Sequence, residues 1–111
     1  MPDVLNSSGF KIITAAELEK KMQQGGLRLM DVRTDAEVLR GKIPQGVSLP
    51  LHLLPLRLNE LDKNTPIVFY CQMGGRSGQA AAFAAASGFA EVYNLQSGII
   101  AWTQAGLPVT S

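Results

Sequence analysis

IVFYCQMGGRSGQAAAFAAASG, residues 67–88, decides how this chain folds. The opening IVFY is continuously apolar, β-branched or aromatic, as expected of a central parallel strand covered on both faces. The closing QAAAFAAASG reads as a helix built almost wholly of alanine and stopped by Gly88. Alanine on every side predicts close packing against a sheet. Between strand and helix lies CQMGGRS, which holds the only cysteine of the chain.

The same alternation continues outward. Phe10 to Ile13 is a short apolar run that reads as an edge strand. Thr14 then caps a helix, AAELEKKMQQ, with Glu17 as capping-box partner and Gly25-Gly26 as the stop. LRLMDV (27–32) reads as a buried strand ending in the polar cluster Asp31, Arg33, Thr34, Asp35. Residues 34–40 form a short helix closed by Gly41. Ile43-Pro44-Gln45-Gly46 is a turn and VSL (47–49) a short strand. LHLLPLRLNEL (51–61) carries leucines at helical spacing, with Pro55 placed in the first turn. Residues 62–66 are a loop. Downstream of Gly88, EVYNL (91–95) reads as a last strand, and a helix from Gly98 to Gln104 carries Trp102.

Alternation of this kind predicts an α/β fold with a central parallel sheet of about five strands and helices on both faces. At 111 residues the chain has the size of one domain, 1–111, with its core at about 10–109. In such sheets ligands bind beyond the carboxyl ends of the strands, where Cys71 and Asp31 to Arg33 fall.

Composition excludes several function classes. Hydrophobic residues make up 46% and charged residues 17%, an ordinary globular balance. The formal charge is +1 and no basic run is present, which argues against a nucleic-acid or anionic-lipid surface. No apolar stretch approaches the roughly 20 residues that span a bilayer. One cysteine makes no internal disulfide, and MPDVLNSSGF has neither a basic nor an apolar leader segment. Both features predict a reducing, cytoplasmic setting. One histidine and one cysteine make a zinc site improbable.

The loop after IVFY concentrates three features that ionise a thiol: inward-facing amides, a helix N-terminus and a cation. Gly74 and Gly75 let the backbone curl into an anion nest, the helix near Arg76 or Ser77 adds free N–H groups, and Arg76 can fork onto an oxyanion. The plainer alternative is a buried, inert Cys71 followed by an ordinary turn. Cysteine-dependent phosphatases use a similar loop with one more residue between Cys and Arg. Here four residues, Gln72 to Gly75, separate Cys71 from Arg76, a tighter nest suited to a smaller reacting centre such as sulfur.

CQMGGRS resembles the active-site loop of single-domain rhodaneses, sulfurtransferases with a Cys-x-x-Gly-x-Arg-Ser pattern, and Cys71, Gly74, Arg76 and Ser77 match it in place. LMDVRTDAEVLRGKIPQGVSLP is similar to the family's Asp-Val-Arg…Glu…Gly-His-Ile-Pro-Gly-Ala stretch, and NLQSGIIAWTQAGLPV to its Gly-Gly…Trp…Gly-Leu-Pro-Val ending. Three departures stand out: Lys42 for the usual His, Gln45-Gly46 for Gly-Ala, and Ser97 for a frequent Gly. The resemblance implies a rhodanese-like fold and sulfur transfer through a Cys71 persulfide, without metal or organic cofactor. It implies a donor site formed by Gln72, Met73, Gly74, Gly75, Arg76 and Ser77. The partners expected are a small anionic sulfur donor such as thiosulfate and a cyanide or thiol acceptor, with a thiol protein as a further candidate. A sulfur-carrier or regulatory module with weak turnover is the alternative.

Other residues carry weaker signals. Asp31 and Arg33 sit where active-site residues collect, but such a pair more often braces a loop, with Arg33 bridging to Asp31 or Glu37. His52 would have to reach Cys71 to act as its base, and reads instead as a helix-start residue. Trp102 reads as a core anchor, and the leucines of 51–61 as a core-facing stripe.

Overall fold

The computed structural model describes residues 9–111; the N-terminal stretch MPDVLNSSGF considered above falls mostly outside them. Five strands form one parallel sheet: β1 (Lys11–Ile13), β2 (Arg28–Asp31), β3 (Val47–Ser48), β4 (Ile67–Tyr70) and β5 (Val92–Leu95), in the order β1-β5-β4-β2-β3. The helices are α1 (Ala15–Gln24), α2 (Asp35–Val38), α3 (Leu54–Arg57), α4 (Gly75–Ala86) and α5 (Gly98–Gln104).

β4 is the central strand, and its alternation divides the core. Ile67, Phe69 and Cys71 enter one cluster with Leu54 and Leu58 of the α3 segment and Ala80, Ala81 and Ala84 of α4. Val68 and Tyr70 enter the other, with Leu18 of α1 and Ile99 and Trp102 of α5. Helices therefore cover both faces, as a fully buried IVFY requires. Cys71 sits at the end of this strand, on the α4 side. Trp102 is buried in the α5 layer and donates its Nε1–H to the Pro108 carbonyl at 2.7 Å.

Local signals explain the boundaries. Thr14 and Glu17 form a reciprocal capping box at α1, and Thr34 and Glu37 form a second at α2. One expectation needs correction. The leucine segment is not one helix: a 3-10 turn (Leu51–Leu53), α3 and a second 3-10 turn (Leu58–Glu60) follow one another. Only Leu54 and Leu58 are fully buried, so the packing rewards one short turn of contact. The alanine-rich α4 packs closely against the sheet as expected, through one face. Its buried face is Ser77, Ala80, Ala81 and Ala84, while Phe83 is exposed on the other. Among the described residues, no helix is long and apolar enough to cross a membrane.

The departures from the rhodanese pattern have local explanations. Gln45 and Ser97 are the two non-glycine residues with positive φ among those described, at 73° and 56°. Those are the positions where the family pattern carries glycine, which visits this region without steric cost. Gly46 lies against Tyr70: a Cβ there would sit 3.0 Å from the Tyr70 hydroxyl oxygen and 3.0 Å from the Ile43 carbonyl oxygen. The Lys42 ammonium donates to the Gly46 carbonyl at 3.0 Å, and the Lys42 backbone pairs with Thr110. Gln45 is exposed and none of the side-chain hydrogen bonds involves it, so relieving its backbone should cost nothing elsewhere. Gln45→Gly is expected to raise the unfolding free energy by about 1 kcal/mol, read from a urea titration. An unchanged or lower midpoint would mean that the turn carries no such strain.

Candidate active site

The site is built by β4, the loop 71–74, the N-terminus of α4 and the start of α5. Cys71 is 1% exposed. Its Sγ accepts hydrogen bonds from the Gly74 amide at 3.0 Å and the Ser77 amide at 3.4 Å, and the Ser77 hydroxyl lies 3.3 Å away, in reach to donate once the sulfur is a thiolate. Gly74 is the residue that makes this possible. It takes φ +114° as the N-cap of α4, turning its amide back onto the sulfur. Gly75 does not share that role, contrary to the expectation of a paired-glycine nest. It lacks a positive φ, is already helical, and a Cβ on it would meet nothing within 4 Å.

The outer side of the loop is held by α5. The Ile99 amide donates to the Cys71 carbonyl at 3.0 Å and the Ile100 amide to the Gln72 carbonyl at 3.3 Å. These are first-turn donors of a helix, groups without intrahelical partners. The approach is close enough to require Gly98: a Cβ there would lie 2.4 Å from the Cys71 carbonyl oxygen and 2.5 Å from that of Gln72.

Burial by itself pushes the Cys71 thiol up. The hydrogen bonds from the Ser77 hydroxyl and from the Ser77, Gly74 and Met73 amides outweigh it, and the thiol titrates below its ordinary value. The plain reading of Cys71 as an inert core residue does not describe this environment, in which several donors converge on one sulfur.

Arg76 stands differently from its expected role. Its guanidinium is forked onto Glu37, with Nη1 2.6 Å from Oε1 and Nη2 2.8 Å from Oε2. Glu37 also caps α2 through Thr34, so α2 and α4 are tied at the loop's edge. The Arg76 bonds hold the Glu37 carboxyl down at about 2, against the opposing effect of burial. Glu37 is thus a site residue that the sequence pointed to only as a partner for Arg33.

Asp31 and Arg33 brace the structure. Arg33 Nε and Nη2 reach the two Asp31 oxygens at 2.9 and 2.8 Å, the Arg33 amide binds Oδ1 at 3.0 Å, and Nη2 also donates to the Gly41 carbonyl. Both side chains are buried. Arg33 reaches Glu37 through its backbone carbonyl, at 3.5 Å, and not through the carboxylate. Gln72 and Met73 are exposed, Met73 at 70%. A cleft of about 410 Å³ opens beside Gln72, walled by Glu37 and Arg40 on one side and Ile99, Ile100 and Val109 on the other. His52 is exposed in the 3-10 turn before α3 and makes none of the contacts to Cys71.

Asn94 is the buried polar residue that sequence reading missed. Its Oδ1 accepts from the Ser77 hydroxyl at 2.5 Å and its Nδ2 donates to the Gly74 carbonyl at 3.2 Å. The available signal was a lone amide within the buried strand VYNL.

A parallel α/β sheet here delivers one cysteine to the amides at a helix N-terminus. Comparison with known proteins gives the family. Residues 14–105 match the family model of the rhodanese-like domain. A sulfurtransferase of Allochromatium vinosum is 46% identical over 83 residues, covering 75% of this chain and 78% of that protein. The thiosulfate sulfurtransferase GlpE of Pseudomonas syringae is 32% identical over 93 residues, covering 84% and 87%. The crystal structure of a rhodanese-related protein from Thermoplasma volcanium superposes with a TM-score of 0.84 at 26% identity, covering 91% of this chain and 98% of that one. The chain belongs to the rhodanese-like family, and these relatives support rhodanese-type sulfur transfer at the family level.

The Glu37–Arg76 pair has a testable pH signature. A carboxyl whose folded pKa is depressed contributes stability that is complete above its ordinary value of 4.5 and lost as pH falls towards about 2. Both partners are partly exposed, so solvent screening limits the contribution to up to about 1 kcal/mol. Wild type should therefore exceed Glu37→Gln in urea midpoint at neutral pH, with the gap closing between those two values. A gap that persists at pH 2 would show that the ion pair is not its source.

Proposed function

We propose that this chain is a sulfurtransferase whose Cys71 carries a sulfane sulfur between a small donor and a thiophilic acceptor. The observation that carries the proposal is the convergence of two amides and a hydroxyl on a buried Sγ at 3.0–3.4 Å. With thiosulfate as donor, the Cys71 thiolate attacks the outer sulfur. A new S–S bond forms, the S–S bond of thiosulfate breaks, and sulfite leaves with the electron pair. The product is a persulfide whose negative charge lies on the outer sulfur, beside the loop amides. Cyanide or a thiolate then attacks that outer sulfur, Cys71 leaves as thiolate, and thiocyanate or a new persulfide departs. Charge and atoms balance without an external oxidant or cofactor.

The residues assigned to the site are Cys71 as nucleophile, with Gln72, Met73, Gly74, Gly75, Arg76 and Ser77 around the donor. Because Arg76 is committed to Glu37, the amides are the principal anion binders. Together with uncharged Gln72 and Met73, this favours a donor that does not depend on two negative charges, such as mercaptopyruvate, over thiosulfate. Asp31 and Arg33 support the loop from beneath. We assign the chain as one domain working in a reducing compartment such as the cytoplasm, which keeps Cys71 in its thiol form. A sulfur-carrier role with a protein acceptor is the second reading. The observation that favours it is Met73, a large apolar side chain 70% exposed on the reactive loop.

Mass spectrometry of intact protein tests the proposal. After incubation with thiosulfate or mercaptopyruvate, wild type should gain one sulfur atom, and cyanide should remove it as thiocyanate. Cys71→Ser should keep the wild-type fold and fall to background transfer. Failure of wild type to take sulfur from either donor would sink the reading, as would wild-type turnover in Cys71→Ser.

A further inference from the structure

The Ser77 hydroxyl lies within bonding distance of two acceptors but carries one proton. Cys71 Sγ is 3.3 Å away and Asn94 Oδ1 is 2.5 Å away. The orientation of the Asn94 amide follows from its surroundings. The Gly74 carbonyl has no proton to give, so the group facing it at 3.2 Å must be Nδ2, and Oδ1 must then face Ser77. The much shorter contact to Asn94 holds the hydroxyl proton there in the resting protein, and Ser77 turns a lone pair towards Cys71.

We propose that Asn94 is a positioning residue that competes with the Cys71 sulfur for the Ser77 hydroxyl proton, and so sets how readily that sulfur ionises and how strongly it attacks. The inference rests on the assignment of Cys71 as nucleophile. It adds a gate to that chemistry. When Cys71 ionises, the Ser77 hydroxyl must swing from Asn94 to the thiolate, giving up one hydrogen bond to make another. When the persulfide forms, charge leaves Sγ for the outer sulfur and the hydroxyl returns to Asn94. Without the competitor, Ser77 would stay on the thiolate, stabilising it and blunting its attack.

Several features fit this role. Asn94 is 8% exposed and stands in β5 opposite Phe69, in the strand beside the one that delivers Cys71. Besides Cys71 itself, Asn94 is the side chain among the described residues that hydrogen-bonds both Gly74 and Ser77, which donate to Sγ. Gly78 makes room for it: a Cβ there would meet Asn94 Nδ2 at 3.3 Å. The charged group that acts on Cys71 from α4 is Arg76, with Glu37 of α2 paired to it and the Asp31–Arg33 pair behind on β2. The α3 segment presents Leu54 and Leu58, and α5 contains no titratable residue. An uncharged substitution at Asn94 leaves all of those charges in place.

Cys71 is the sole cysteine, so the pH dependence of iodoacetamide alkylation reads its ionisation alone and needs no sulfur donor. In Asn94→Leu the ionisation constant should rise about fivefold, the scale of one competing hydrogen bond. The alkylation midpoint then moves to lower pH while the limiting high-pH rate falls. In a Ser77→Ala background the same substitution should leave the midpoint unmoved. Asn94→Asp, nearly isosteric and a stronger acceptor, should move it to higher pH and serves if the leucine variant does not fold. A midpoint raised or unchanged in Asn94→Leu, a shift that survives in Ser77→Ala, or a lowered midpoint in Asn94→Asp would overturn the proposal. Because alkylation is independent of sulfur transfer, a protein that passes this test yet gains no persulfide would overturn the proposed function alone.

Discussion

The direction of two peptide planes governs this site. The carbonyls of Cys71 and Gln72 are taken by the first amides of α5. A trans peptide sets each N–H opposite the preceding carbonyl. Pinning two carbonyls outward therefore commits the Gln72 and Met73 amides to the inner side of the loop. Gly74, at a backbone angle closed to most side chains, turns its own amide onto Sγ, and α4 begins there with unpartnered donors. The cradle is thus assembled by helix ends on both sides, one holding the carbonyls and one supplying the amides. Gly98 is indispensable to that arrangement, because nothing larger fits between α5 and the loop.

Charge is handled by pairing. Two arginines beside the loop are spent on carboxylates, Arg33 on Asp31 inside the fold and Arg76 on Glu37 at its edge, while Arg40 lines the cleft beside Gln72. Such pairs are worth little as net stabilisation but fix geometry, here the junctions of β2 with α2 and of α2 with α4. At Sγ itself the donors are oriented amides, which are neutral and need no counter-ion. A thiolate fits such a field well, since its single charge is met by donors that cost no reorganisation when it forms.

Much of this was legible in the sequence, for physical reasons. IVFY could only be a doubly covered strand, and the alternation of periods around it led to the parallel sheet. Thr14 and Glu17 announced α1 by spacing alone. Thr34 and Glu37 have the same spacing and cap α2 in the same way, but Glu37 also answers Arg76 across 39 residues, a partnership that no local pattern encodes. The leucine segment misled because periodicity records which residues are apolar and not how many the core can receive. Gly75 misled because glycine pairs suggest shared strain, and only one of the two is strained. Asn94 went unread because a single amide in an apolar strand has no meaning until its neighbours on the sheet and on α4 are known.

The tightness of the loop bears on which chemistry it suits. A phosphoryl group in transfer presents three equatorial oxygens, and a loop that serves it must point its amides beyond the nucleophile. Here Gly74 and Ser77 direct theirs at the Cys71 sulfur itself, from 3.0 and 3.4 Å. With four residues between Cys71 and Arg76, the donors of this loop meet on that atom. Donors gathered there suit a small group beyond Sγ, such as a single sulfur carrying a single charge. The same loop sets the Ser77 hydroxyl 3.3 Å from Cys71 Sγ and 2.5 Å from Asn94 Oδ1, so the donors around the sulfur and the proposed control of it share one set of residues.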